Sequence, residues 1–205
     1  MVEADLLYEH YKETVAKNET SIRSRNRYFV ALLVVAGLSA VLTANPLFFQ
    51  ELAASLAETK LGLSPSPLNA GAADVLVWLT TLYLLVRYIQ LAIGIERNYI
   101  YLKSLEHDLE KAIGSHAFCR EGDVYADNYP FALNLIDFAY KAVFPCAFLL
   151  SCIVHMSMSV RMKLSLPYLA VSTALFGVTV LLLASYMAFL ISANRTSKVK
   201  CGERK

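Results

Sequence analysis

Charge is missing from long parts of this 205-residue chain: residues 28–49 hold no Asp, Glu, Lys or Arg, and neither do residues 166–194. A water-soluble domain of this size alternates polar and apolar positions, so uninterrupted runs of this length exclude an ordinary soluble fold. Cysteine is scarce too. Cys119, Cys146, Cys152 and Cys201 have the spacing of neither a disulfide framework nor a metal site, and read as small apolar fillers and incidental thiols. No His-Glu-x-x-His, phosphate-binding glycine loop, dinucleotide fingerprint or Gly-x-Ser-x-Gly occurs, and no two histidines are placed to share a metal. No catalytic, cofactor-binding or metal-ligating residue is therefore expected. Two homologous halves with interrupted helices are also lacking, which argues against a secondary transporter.

Four apolar stretches take up about half of the chain, at roughly 28–49, 75–95, 132–157 and 167–193. Each is long enough, at about 1.5 Å rise per residue, to cross about 30 Å of hydrocarbon as a helix. The expected fold is an all-α integral membrane protein with four transmembrane helices and helical cytoplasmic extensions. Its parts are a cytoplasmic amphipathic helix at 1–27, a four-helix membrane domain at 28–193 with a cytoplasmic helix and linker at 96–131, and a basic tail at 194–205. The polar, charged first 27 residues do not read as a signal peptide, and no lipidation signal is expected.

Orientation follows from Lys and Arg. Segments 1–27, 96–131 and 194–205 carry fourteen of them, against three in the two other loops (Lys60, Arg161 and Lys163). The positive-inside rule puts both termini and the 96–131 segment in the cytoplasm of a plasma membrane; the seven acidic residues of 96–127 count little in that rule. Of the outer loops, 50–74 is expected to hold a short surface helix at 52–63. The segment 157–166 is a tight connection that makes spans 3 and 4 a hairpin.

No proline interrupts 75–113, so the second span is expected to run on beyond the membrane. There Ile95, Tyr99, Leu102, Leu105, Leu109 and Ile113 recur at steps of three and four, one apolar stripe on a charged helix. The N-terminal segment repeats the pattern with Ala4, Leu7, Tyr11, Val15 (or Thr14), Asn18 and Ile22. Both stripes are too narrow to be buried alone. They are expected to pack on each other or on neighbouring subunits as a small stalk. A helix lying on lipid headgroups is the other reading; mixed-sign polar faces disfavour it.

Ionisable groups at membrane depth are costly and functional by default. Arg87 lies in span 2, with Gln90, Gly94 and Arg97 on nearly the same face. Asp137 and Lys141 open span 3 as an i,i+4 pair, with Asn134 a turn earlier. Arg87, Gln90, Arg97, Asn134, Asp137 and Lys141 are thus candidates to line a cytoplasmic vestibule, with Arg87 turned to Asp137 or Asn134. In the plainer reading Arg87 snorkels to the headgroups and Asp137 and Lys141 are a surface pair. His155, near the outer end of span 3, reads as interfacial. Small and hydroxyl residues in spans 1 and 4 (Gly37, Ser39, Ser172, Thr173, Gly177, Thr179) favour close helix contacts.

Several motifs together resemble a known kind of protein. Tyr8-x2-Tyr11-Lys12 precedes Arg25-Asn26-Arg27-Tyr28-Phe29. Glu96-Arg97-x-Tyr99-x-Tyr101-x3-Leu105-Glu106, Arg120-Glu121-Gly122-x2-Tyr125-x3-Tyr129-Pro130 and Tyr140-x4-Pro145 follow. The pattern resembles small four-span inner-membrane proteins of bacterial antiphage defence systems. The resemblance implies a homo-oligomer that either perturbs membrane integrity or potential on a cytoplasmic signal, or holds a soluble cytosolic partner at the membrane. Direct nucleic-acid binding is not expected. A small channel, transporter or membrane enzyme unrelated to defence is the further alternative.

Overall fold

Long helices dominate the computed structural model, which describes residues 2–45, 70–113, 135, 138–161 and 164–202. Helix α1 covers Val2–Ala44 and α2 covers Ala70–Ile113. A π-helical turn at Ala139–Val143 leads into α3, Phe144–Arg161, and α4 covers Leu166–Gly202. The described residues contain no strand. Three helices are long and apolar enough to cross a membrane, at Gly71–Ile113, Phe144–Arg161 and Leu166–Ser192. The chain is therefore read as a membrane protein.

Boundaries differ from the sequence reading in ways that matter. Helix α2 starts five residues before the expected span, so Asp74 is helical rather than a loop residue. Helix α3 runs to Arg161 rather than ending at 157, which makes Ser159 helical too. The turn between α3 and α4 shrinks to the few residues between Arg161 and Leu166. The widened helix at Ala139–Val143 has a local cause: Pro145 offers no N–H to the carbonyl of residue 141, so the regular ladder cannot be kept through this point. The expected surface helix at 52–63 and the linker at 114–130 lie outside the described residues.

The chain forms two compact units. The first comprises Met1–Phe29 and Arg87–Phe138. In it the start of α1 and the end of α2 run antiparallel and join through their side chains. Tyr11 Oη donates to Glu106 Oε1 at 3.0 Å, His10 Nε2 lies 2.8 Å from Tyr101 Oη, and Asn98 Nδ2 donates to Asn18 Oδ1 at 3.5 Å. Ile95, Leu102, Leu105 and Leu109 of the α2 stripe are buried, as is Asn18 of the α1 stripe. Leu7, Tyr11 and Ile22 are half-buried. Tyr99 and Ile113, by contrast, are exposed. The two stripes thus meet as a helix pair within one chain.

The second unit comprises Val30–Val86 and Ala139–Lys205. Its outer surface is apolar: Val30, Val34, Leu38, Leu76, Leu79, Leu150, Val154, Leu166, Val178 and Leu181 are all exposed. Its interior holds Ser39, Thr81, His155, Ser159, Ser172 and Thr179 among aromatic and aliphatic side chains. In water this would be an inside-out arrangement; in lipid it follows from a solvent as apolar as leucine. Buried positions on α3 (Phe144, Phe148, Cys152, His155, Ser159) and on α4 (Ser172, Thr179, Leu183, Tyr186) keep to one stripe per helix. At Gly71 the approach of α4 is so close that a Cβ would fall 2.5 Å from Cδ2 of Tyr168.

Candidate functional site

Three helices of the second unit bring their polar side chains to one carboxylate. Asp74 stands one turn into α2. Ser159 Oγ donates to its Oδ1 at 2.8 Å, and Ser172 Oγ, from α4, donates to its Oδ2 at 2.5 Å. His155, one turn before Ser159 on α3, puts Nε2 3.1 Å from Oδ1, and only 9% of either side chain is exposed. This is contact at ion-pair distance without hydrogen-bond alignment, since neither ring nitrogen of His155 meets hydrogen-bond geometry. Ser159 Oγ also lies 3.1 Å from the His155 carbonyl, but its single proton has the shorter contact with the carboxylate. An ionised Asp74 is an acceptor on both oxygens, and donors from two other helices occupy both. The i,i+4 spacing of His155 and Ser159 is what aims them at the same group.

A small pocket adjoins the cluster. It is lined by Ala36 and Ser39 of α1, Trp78 and Thr81 of α2, and Phe148, Ser151, Cys152 and His155 of α3. Trp78 is 1% exposed and packs on His155 with ring centroids 5.2 Å apart, and edge-on to Phe176 of α4 at 5.8 Å. Its Nε1 has no hydrogen-bond partner among the described residues, and neither does His155 Nδ1. Buried polar atoms are nearly always partnered, so two orphan nitrogens on one pocket wall mark a place of chemical demand. Among the described residues no group of three His, Cys, Asp or Glu is placed to hold a metal ion.

The vestibule residues expected from sequence are placed differently. Arg87, in the first unit, is exposed; it donates to Gln90 Oε1 at 3.3 Å, and its guanidinium carbon sits 6.0 Å from the centre of the Tyr28 ring. Gln90 and Arg97 are exposed as well. Asn134 and Asp137 lie outside the described residues, and Lys141 lies in the π-helical turn with its side chain likewise outside them. What the sequence reading missed is Asp74, which it placed just before the second span. The signal was there: Asp74, Trp78, Thr81 and Leu85 share a helical face that runs back from the apolar core of the span. No protein-family model, curated protein or solved structure matches the chain.

Proposed function

We propose that this chain is an inner-membrane protein crossing the bilayer four times with both termini in the cytoplasm. It acts as a homo-oligomeric effector or sensor that perturbs membrane potential on a cytoplasmic signal, in the manner of antiphage membrane effectors. The observation that carries this reading is the buried Asp74/His155 pair in helices apolar enough to span a membrane. A carboxylate at the centre of a spanning helix costs about 2.5–3.5 kcal/mol on insertion scales, less toward the end where Asp74 stands, and ionisable groups inside such helices commonly mark ion or proton paths. The fourth crossing is supported by the exposed Val30, Leu33, Val34, Leu38 and Val41 on α1. The orientation is supported by the fourteen-to-three bias of Lys and Arg between the two sides. The helix pair of the first unit is the receiver, and Arg87 and Gln90 belong to it.

The test is membrane potential in bacteria expressing the protein, followed with a dye through phage challenge. Depolarisation that depends on Asp74 supports the effector. Neutral substitutions at Arg87 and Asp137 that leave both protection and depolarisation unchanged would remove the gating role of those residues.

A scaffold that recruits a soluble cytosolic partner is the second reading. It is favoured by apolar side chains exposed on the first unit, Leu6 at 71% and Ile100 at 68%. Protection with an intact membrane potential, lost on Leu6→Ser and Ile100→Ser, would select it.

A further inference from the structure

We infer that the Asp74/His155 pair is a proton-binding site, served by water held in the pocket between Trp78 Nε1 and His155 Nδ1. The inference needs only the second unit and stands whether or not the chain acts in defence.

The geometry gives each ring nitrogen of His155 a different neighbour. The Asp74 carboxylate beside Nε2 favours the tautomer that carries its proton there, which leaves Nδ1 a lone-pair acceptor on a residue that lines the pocket. Trp78 Nε1 can only donate. The pocket, of about 20 Å³, is lined by both Trp78 and His155, which carry the orphan donor and the orphan acceptor, and about 10–15 Å³ suffices for one water. A water there accepts from Trp78 Nε1 and donates to His155 Nδ1, with the hydroxyls of Ser39, Thr81 and Ser151 on the same wall. This is the set of two to four polar partners that a buried water requires.

Through this water a proton reaches Nδ1. The water donates its proton to Nδ1 and takes another from the next water outward, so no bond but O–H and N–H is made or broken and nothing is oxidised or reduced. With the ring neutral, the pair carries one negative charge, held by the Ser159 and Ser172 hydroxyls. With the ring protonated it is net neutral. Loading therefore changes the electrostatic reason that α2, α3 and α4 stay together at this point. Among the described residues, the titratable groups nearest along the same helix faces are Cys152, one turn before His155 on α3, and Tyr168, one turn before Ser172 on α4; α1 brings the Ser39 hydroxyl to the pocket.

An oxygen-ligated monovalent cation is the competing occupant, since Asp74, Ser159 and Ser172 offer hard oxygen ligands. The hydroxyl protons already directed at the carboxylate, and a histidine and a tryptophan nitrogen on the pocket wall, fit a proton better.

Trp78 is the single tryptophan of the chain and lies against the titrating ring, so its emission is a built-in readout. The full chain, reconstituted in phosphatidylcholine nanodiscs, would be titrated with acid at constant ionic strength. A one-proton quenching of Trp78 emission is expected, abolished by His155→Gln and moved in midpoint by Asp74→Asn. Ser39→Leu, which fills the pocket from α1, is expected to weaken or abolish the response. A flat profile in the wild type, or one unchanged in His155→Gln, would overturn the site. A response to sodium at fixed pH in place of acid would overturn it in favour of a cation. Where His155→Gln does not fold, Asp74→Asn decides: an unmoved midpoint refutes the pairing. A response unchanged in Ser39→Leu refutes the water route.

Discussion

His155→Leu is the most informative single change, because it leaves a carboxylate behind. Asp74 would keep the Ser172 and Ser159 hydroxyls, at 2.5 and 2.8 Å, but lose the imidazole at 3.1 Å. Leaving a buried carboxylate short of one partner costs about 1–3 kcal/mol, more for a charged group, which puts this case at about 3 kcal/mol. Asp74→Leu removes the charge itself. Ser159 then falls back on the His155 carbonyl already 3.1 Å away. Its cost is about 1–2 kcal/mol, that of one or two weakened hydrogen bonds. The double variant Asp74→Leu/His155→Leu has no buried charge to leave unpaired, and its stability should return to within about 1 kcal/mol of the parent. The cycle would be run on protein in mixed micelles, unfolded with dodecyl sulfate and followed by far-ultraviolet circular dichroism. The expected coupling energy is about 3–5 kcal/mol. Additive costs across the cycle would show that the two side chains do not interact, and would refute the reading of the cluster as a unit.

Further predictions concern packing and accessibility. Gly71→Ala should destabilise the second unit by about 1–3 kcal/mol, because the new Cβ meets the ring and Cβ of Tyr168, the root of that side chain; Gly37→Ala and Gly94→Ala, with open space at the Cβ position, should not; thermal denaturation of the three variants checks this. Leu109→Ala in the first unit should cost about 2–5 kcal/mol, since the side chain is fully buried, with the loss read as earlier proteolysis of the 1–29 segment. A membrane-permeant maleimide should modify Cys146, which is exposed, and spare Cys152, which is buried; mass spectrometry of the labelled peptides distinguishes them, and labelling of both would contradict the α3 register. Reporter fusions at either terminus should be active only as cytoplasmic reporters, and a periplasmic signal from one end would remove the fourth crossing.

The three helices apolar enough to span a membrane were legible because lipid imposes a simple rule, an unbroken apolar run of about twenty residues. The helix pair of the first unit was legible for the opposite reason: its stripes are narrow, periodic and surrounded by charge. The site was not legible, and the cause is specific. Reading spans by hydropathy trims each one back to its last apolar residue, and that trimming removed Asp74 from α2 and Ser159 from α3. Once both were assigned to loops, His155 had nothing to face and read as interfacial. The eye went instead to Arg87, an obvious charge in an apolar run, whose contacts are Gln90 on its own helix and the Tyr28 ring. Pro145 was visible all along, but the widened turn before it is a backbone response that no side-chain pattern announces.

The hydroxyl groups of the second unit fall into two kinds, and the difference bears on how the protein is made. Ser39, Thr80, Ser157, Thr173 and Thr179 each donate to the carbonyl four residues back in their own helix, at 2.8–2.9 Å. Such helices carry their hydrogen-bond partners with them, and each can leave the insertion machinery singly without exposing an unmet polar group to lipid. Ser172 breaks with this habit and reaches out of its helix to Asp74. Helix α2 therefore emerges during synthesis with a carboxylate whose described hydroxyl donors lie on α3 and α4, more than eighty residues downstream. Until the hairpin arrives, α2 is a provisional resident of the membrane. A chain truncated before α4 keeps the Ser159 and His155 contacts but leaves Oδ2 of Asp74 without its Ser172 donor.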